Sequence, residues 1–183
     1  IDGQSFMNKF FKIFCIIFQA SRGQLSHFNV TDPIGRIMFP LMGIAITVAY
    51  LVYAVMLIDY FRLDTNLNPA LLWAIRIGIV IFLFGAISGF SMGGALKHTV
   101  GLADGGPGLP FTNWSTVAGD LRVSHFISIH AIQVLPLLGL ALIQLGLSST
   151  RSLIIVITFG VLYALFCVLT LAQAMQGRPF IRL

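Results

Sequence analysis

Apolar residues in this chain run in long, nearly unbroken stretches, a pattern of helices immersed in apolar surroundings. Four stretches, 37–58, 70–92, 123–147 and 153–174, each supply the roughly 20 residues needed to cross a hydrocarbon core about 30 Å thick. A fifth, about 6–20, carries Lys9 and Lys12 and is short for a span, so it reads as the end of a helix that begins earlier. The first residue is Ile, and a longer gene product is expected. Boundaries come from local chemistry. Thr31-Asp32-Pro33 and Asn68-Pro69 each place a capping side chain before a proline suited to a first helical turn, and Gly177 followed by Pro179 closes the last helix. The pattern predicts helices at about 5–20, 33–62, 69–97, 120–147 and 151–176, with a Gly/Pro-rich loop at 98–119. The expected fold is an all-α integral membrane bundle, four long transmembrane helices plus a shorter N-terminal helix, in one membrane domain covering 1–183.

A rival reading of the first segment takes Met7 as a start, Lys9 and Lys12 as a basic flank and residues 13–18 as the core of a signal peptide. It ranks lower, because residues precede Met7 and Phe18-Gln19-Ala20-Ser21 lacks a small residue at the outer cleavage position.

Composition changes the picture only by fixing the solvent. Hydrophobic residues make up 57% of the 183 and charged residues 9%, and the mean hydropathy is +0.94, so lipid is the expected medium. The formal charge of +5 comes from 11 Lys and Arg against six acidic residues, all Asp, and most charges flank the spans. That balance speaks of membrane edges and excludes a nucleic-acid partner. Cys15 and Cys167 are single thiols in separate apolar segments, without the paired spacing of a metal knuckle or redox motif, and read as packing residues.

If each segment crosses once, the connections alternate between two faces. Face A receives 21–36, 97–122 and the tail from 177; face B receives the N-terminus, 62–69 and 148–152. Arg22, Arg36, Lys97, Arg122, Arg178 and Arg182 fall on face A, and Lys9, Lys12, Arg62 and Arg151 on face B, a modest excess that makes face A the expected cytoplasmic one.

All four histidines, His27, His98, His125 and His130, fall at or just inside face A. At 1.5 Å per residue His130 lies roughly 15 Å along its helix from Asp120, well inside the hydrocarbon, where an imidazole needs a partner. Imidazole suits haem iron, copper and zinc. The step from His125 to His130 turns the helix by about 140°, so the two rings leave on different faces and each must look to other elements. His130 and His98 are the first-choice ligands, His125 and His27 the next. Gln133, one turn beyond His130, could orient it, and Arg122 could meet Asp120, a propionate or a lipid phosphate. The competing reading for His27 and His98, nearest the water, is capping or hydrogen bonding to loop carbonyls.

Gly85, Gly89 and Gly93 repeat every fourth residue along the third helix, with Ser88, Ser91 and Gly94 beside them. Close helix packing is the first reading of that stripe. A smooth surface with room for a flat macrocycle or quinone is the second. The loop from His98 to Trp114 mixes glycine, proline and apolar residues and reads either as a lid over a face A site or as a structured connector with an aromatic anchor. It has neither the preceding strand nor the GK[ST] of a phosphate-binding loop. Asp120 reads as a helix cap and Arg76 as a cation snorkelling towards face B, with a pair to Asp59 as its alternative. Gln173 and Gln176 bring amides to the face A end of the last helix.

The motifs Ser26-His27-Phe28-Asn29, His98-Thr99-Val100-Gly101, 104–111 (DGGPGLPF) and Gly119-Asp120-Leu121-Arg122 with His125, His130 and Gln133 resemble a family of bacterial multi-helix membrane proteins across most of the chain. The resemblance implies the bacterial inner membrane and helices upstream. It brings no activity with it.

The residues thus point to a membrane protein that holds haem b, or else a copper, iron or zinc ion, at a histidine-lined site on face A, and moves electrons, with quinone as a candidate partner. The alternative is a non-catalytic subunit or assembly factor, packed against other membrane subunits or a second copy of itself. A transporter ranks last, with no Glu and no inverted repeat. No HExxH, GxSxG or paired carboxylates support hydrolysis.

Overall fold

The computed structural model of the chain describes residues 3–183, and their side chains except those of 3–9 and 12. Met7, Lys9 and Lys12, on which the signal-peptide reading and part of the face B charge rest, therefore lie outside the described side chains. Five α-helices account for most of the fold: α1 (Gly3–Ser21), α2 (Gly35–Arg62), α3 (Pro69–Ala95), α4 (Leu121–Gln144) and α5 (Ser149–Met175). Helices α2 to α5 are long and apolar enough to cross a membrane, and many of their large apolar side chains, above all on α2 and α5, are exposed. That arrangement is stable in lipid and not in water, so the chain is a multi-pass, all-α membrane protein.

The expected caps account for the boundaries. Asn68 accepts the amide of Ala70 at 2.9 Å with Pro69 following it, and Asp120 accepts that of Arg122 at 3.0 Å. At α2 the capping group is Asp32, which takes the Gly35 amide at 2.8 Å, so the helix starts two residues later than predicted. Helix α4 ends at Gln144, short of 147, where Gly146 turns the chain at φ +73°. Pro40 and Pro136 sit within α2 and α4, a tolerance common in membrane helices.

The chain divides into two compact units, Ile1–Val55 and Met56–Leu183, the division falling inside α2. In the first, Arg22 bonds to Gln19 (2.7 Å) and pairs with Asp32 (3.1 Å), tying the end of α1 to the turn before α2. His27 lies here, exposed, with its Nδ1 2.9 Å from Ser26 Oγ and its ring edge-on to Phe28 and Phe39.

In the second unit α3, α4 and α5 pack on one another around Ala70, Ala74, Ile81, Ala131, Leu135, Leu142, Val156 and Cys167. Small residues allow this, because a Cβ added at Gly78 would meet the Ala131 carbonyl at 3.0 Å, and at Gly160 the Ile77 side chain at 2.8 Å. Tyr163 donates to the Ile127 carbonyl (2.7 Å) and Ser124 to that of Cys167 (3.0 Å), hydrogen bonds that lock α5 to α4 where lipid offers no competing partner. At the other end of α3, Arg76 donates to the Tyr60 carbonyl and lies over the rings of Phe61 and Trp73 at 4.5 and 5.1 Å, so a carbonyl and two aromatic faces take the cation.

Candidate functional site

The connection between α3 and α4 has more order than a loop. β1 (Thr99–Val100) pairs antiparallel with β2 (Gly119–Asp120), and a Gly108–Ser115 bridge makes a hairpin of the segment between. Gly119 faces the Ala174 carbonyl so closely that any Cβ would collide with it, which seats β2 against the end of α5.

Two carboxylates organise this end. Asp104 receives the backbone amides of Thr99 (2.9 Å) and His98 (3.1 Å). Asp120, with a fully buried side chain, receives the amides of Ser115 (2.9 Å) and Arg122 (3.0 Å) and the Arg122 guanidinium at 2.7 Å. Arg122 reaches on to the Asn113 carbonyl. Burial alone would raise the Asp120 carboxyl, but the Arg122 and Ser115 donors outweigh it and hold Asp120 below the usual carboxylate range. Burial is likewise outweighed at Asp104, by Thr99 and the backbone amides.

His98 sits between the two. Its Nε2 faces Asp104 at 3.4 Å, and its Nδ1 faces Thr99 Oγ1 at 3.2 Å and Asp120 at 3.7 Å. Distance alone would make these ion pairs. Burial and the Arg122 charge, however, lower the imidazole's affinity for a proton more than the two carboxylates raise it. Burial is the larger of the two causes, and the Arg122 charge, which already pairs with Asp120, adds to it. A neutral ring that donates from Nε2 and accepts the Thr99 hydroxyl at Nδ1 satisfies these distances.

The remaining histidines stand elsewhere. His125 enters the α3–α4 contact, its Nδ1 2.9 Å from the Gly85 carbonyl and 3.5 Å from Ser88 Oγ. A Cβ at Gly89 would meet its ring at 2.7 Å, and one at Gly85 would meet Ser128 at 2.8 Å. The first two members of the glycine stripe are therefore filled by α4, and only Gly93 faces open space. His130 leaves α4 on another side. Its Nδ1 lies 2.6 Å from the Phe126 carbonyl one turn back, and its ring is tilted over that of Phe126 at 4.2 Å. Phe126 meets Trp114 edge-on at 5.6 Å, and Trp114 meets Phe180 at 6.1 Å, so an aromatic wall runs from His130 to the tail beyond α5. Gln133 is exposed.

Of the expected site residues, then, His98 and Arg122 meet through Asp120, while His125 and His130 face separate surroundings and His27 belongs to the other unit. Among the described residues no three His, Cys, Asp or Glu side chains are grouped to hold a metal ion. Sequence reasoning missed Asp104, whose one available signal was a carboxylate in a glycine-rich loop six residues after His98, and the alignment of Trp114, Phe126 and Phe180, which has no sequence signature. No family model, curated protein or solved structure matches the chain.

Proposed function

We propose that the chain is a redox protein of the bacterial inner membrane, with face A cytoplasmic, in which His130 binds haem b iron beside the aromatic wall. The observation that carries this reading is the 2.6 Å contact between His130 Nδ1 and the Phe126 carbonyl. A carbonyl can only accept, so Nδ1 holds the proton and Nε2 presents a lone pair, the tautomer and orientation that metal-bound histidines usually take from a backbone carbonyl. The ring stands about 15 Å along an apolar helix, where a base has little use without a ligand. The rings of Phe126, Trp114 and Phe180, set edge to face, offer an apolar aromatic surface against which a macrocycle or a quinone ring could pack.

His98 is less suited than His130, because both its ring nitrogens face loop partners, and His125 is pressed into a helix contact. A bare copper, iron or zinc ion fits less well than haem, since it would need several donors from this chain at one place. Bound haem would supply a one-electron couple. The chain's own contribution is to orient an imidazole and to exclude water around it.

The test is an optical spectrum of gently solubilised protein before and after dithionite, beside His130→Ala and His98→Gln. A reduced b-type signal lost in the first variant and kept in the second is the expected result. A colourless wild-type protein, or a signal that survives His130→Ala, overturns the reading.

A second reading, an accessory subunit, is favoured by α2. This 28-residue helix buries only Gly35, Met42, Ala49 and Tyr50, leaving apolar surface for lipid or partner helices. A stable larger complex in native electrophoresis of colourless protein would establish it.

A further inference from the structure

The tip of the 107–116 hairpin carries a phenylalanine with no contact to cover it. Phe111 is fully exposed, at 108% of its reference area, and its backbone has φ +66°, a conformation unusual for a bulky side chain. Such a residue in a loose loop would relax and fold its ring away. Here the backbone is pinned: Leu109 N–H donates to Trp114 O at 2.8 Å, Asn113 N–H to Leu109 O at 2.9 Å and Thr112 N–H to Pro110 O at 2.8 Å. The base is held by Asp120 on the Ser115 amide and by Arg122 on the Asn113 carbonyl. The fold therefore maintains an apolar ring at the point where exposure is greatest.

What the ring meets follows from its neighbours. Trp114 lies against Phe126, itself 48% exposed on the outer surface of a membrane-crossing helix, so the hairpin lies over the lipid-facing flank of the bundle near the N-terminus of α4. Tryptophan at that level is characteristic of the interface between water and hydrocarbon. Lys97, Arg178 and Arg182 are exposed at the same end, whereas both acidic residues there, Asp104 and Asp120, are engaged by donors. The uncompensated charge is positive and suits anionic headgroups.

We infer that the 107–116 hairpin is an interfacial anchor, with Phe111 inserted among the lipids of the face A leaflet and the adjoining cations on anionic phospholipid. It keeps Trp114 and the aromatic wall at a fixed depth, and it stands independently of haem.

The test labels Phe111→Cys, in a Cys15→Ala, Cys167→Ala background, with an environment-sensitive fluorophore in nanodiscs of phosphatidylcholine and phosphatidylglycerol. Full exposure of Phe111 makes the substitution safe for folding, and a label at Leu145, exposed beyond the opposite end of α4, serves as a folding reference. Blue-shifted emission, quenched several-fold more by lipids brominated near the headgroup than by aqueous iodide, is expected. Emission quenched by iodide overturns the inference in favour of a water-exposed tip; a label shielded from both quenchers overturns it in favour of a protein partner.

Discussion

The α3–α4 contact and the hairpin end of the same unit are held by opposite means. Inside the span the helices meet where side chains are missing, at Gly78, Gly85 and Gly89, and attraction comes from backbone surfaces brought close with an imidazole fitted into the gap. At the end a buried carboxylate gathers the amide of Ser115 and both the amide and the guanidinium of Arg122, and the fold depends on charge. Lipid gives helices no hydrophobic reason to associate, so shape decides there. At the interface, water competes for every hydrogen bond, and only a carboxylate withdrawn from it organises a loop.

The largest break in this comparison is expected from Asp120→Ala. It leaves the Ser115 amide and the Arg122 guanidinium without their acceptor, a loss of about 3 kcal/mol, at the low end for a buried pair because the Arg122 side chain keeps 29% exposure. Thermal unfolding in detergent should shift down, and amide exchange should rise across 98–119 while the α3–α4 contact stays protected. Unchanged exchange in the hairpin would show that Asp120 does not organise it.

Gly85→Ala comes next, at about 1–3 kcal/mol, because its Cβ would meet Ser128 at 2.8 Å and Ile129 at 3.3 Å. Gly93→Ala sharpens the contrast. That position has nothing within 4 Å, so the same substitution should be neutral or stabilise by up to about 1 kcal/mol through helix propensity. Equal effects in a detergent-unfolding titration would mean that close packing does not set the cost.

The glycine pair also marks what could be read from the chain. Spans, caps at Asn68 and Asp120, and the preference for packing along the stripe follow from runs and spacing within single elements. Nothing local distinguishes Gly85 from Gly93, since the difference depends on where α4 leaves α3. The position of His130 within the fourth helix was legible, but its partner is a carbonyl of its own helix, which periodicity does not select. The β1–β2 pairing joins residues about 20 apart in a stretch that composition describes only as loop. Asp104 escaped for the same reason: its shortest hydrogen bonds are to the backbone amides of His98 and Thr99, which any residue type supplies.

A smaller effect tests the hydrogen bonds between helices. Tyr163→Phe removes the 2.7 Å bond to the Ile127 carbonyl while keeping the ring, and about 0.6 kcal/mol is expected, the average for such bonds in membranes. The same titration reads it; a cost several-fold larger would put polar contacts above shape inside the span.

The mildest perturbation is acid, and it should act on the hairpin alone. Burial and Arg122 depress the His98 affinity for a proton below that of a free imidazole, which titrates near pH 6.5, so the unfolded chain takes up a proton first as the pH falls. His98 therefore costs stability progressively from about pH 6.5 downward. The depressed Asp104 and Asp120 hold their charge to lower pH than free carboxyls, which titrate near pH 4, so their contribution is intact between pH 7 and 5 and is lost only as the pH falls from about 4 through their own lower range. Between pH 7 and 5 exchange in 98–119 should rise modestly, with no change in α3 or α4, and His98→Gln should remove the dependence. A pH response that persists in that variant would place the titrating group elsewhere and end the distinction between a charge-held end and a shape-held core.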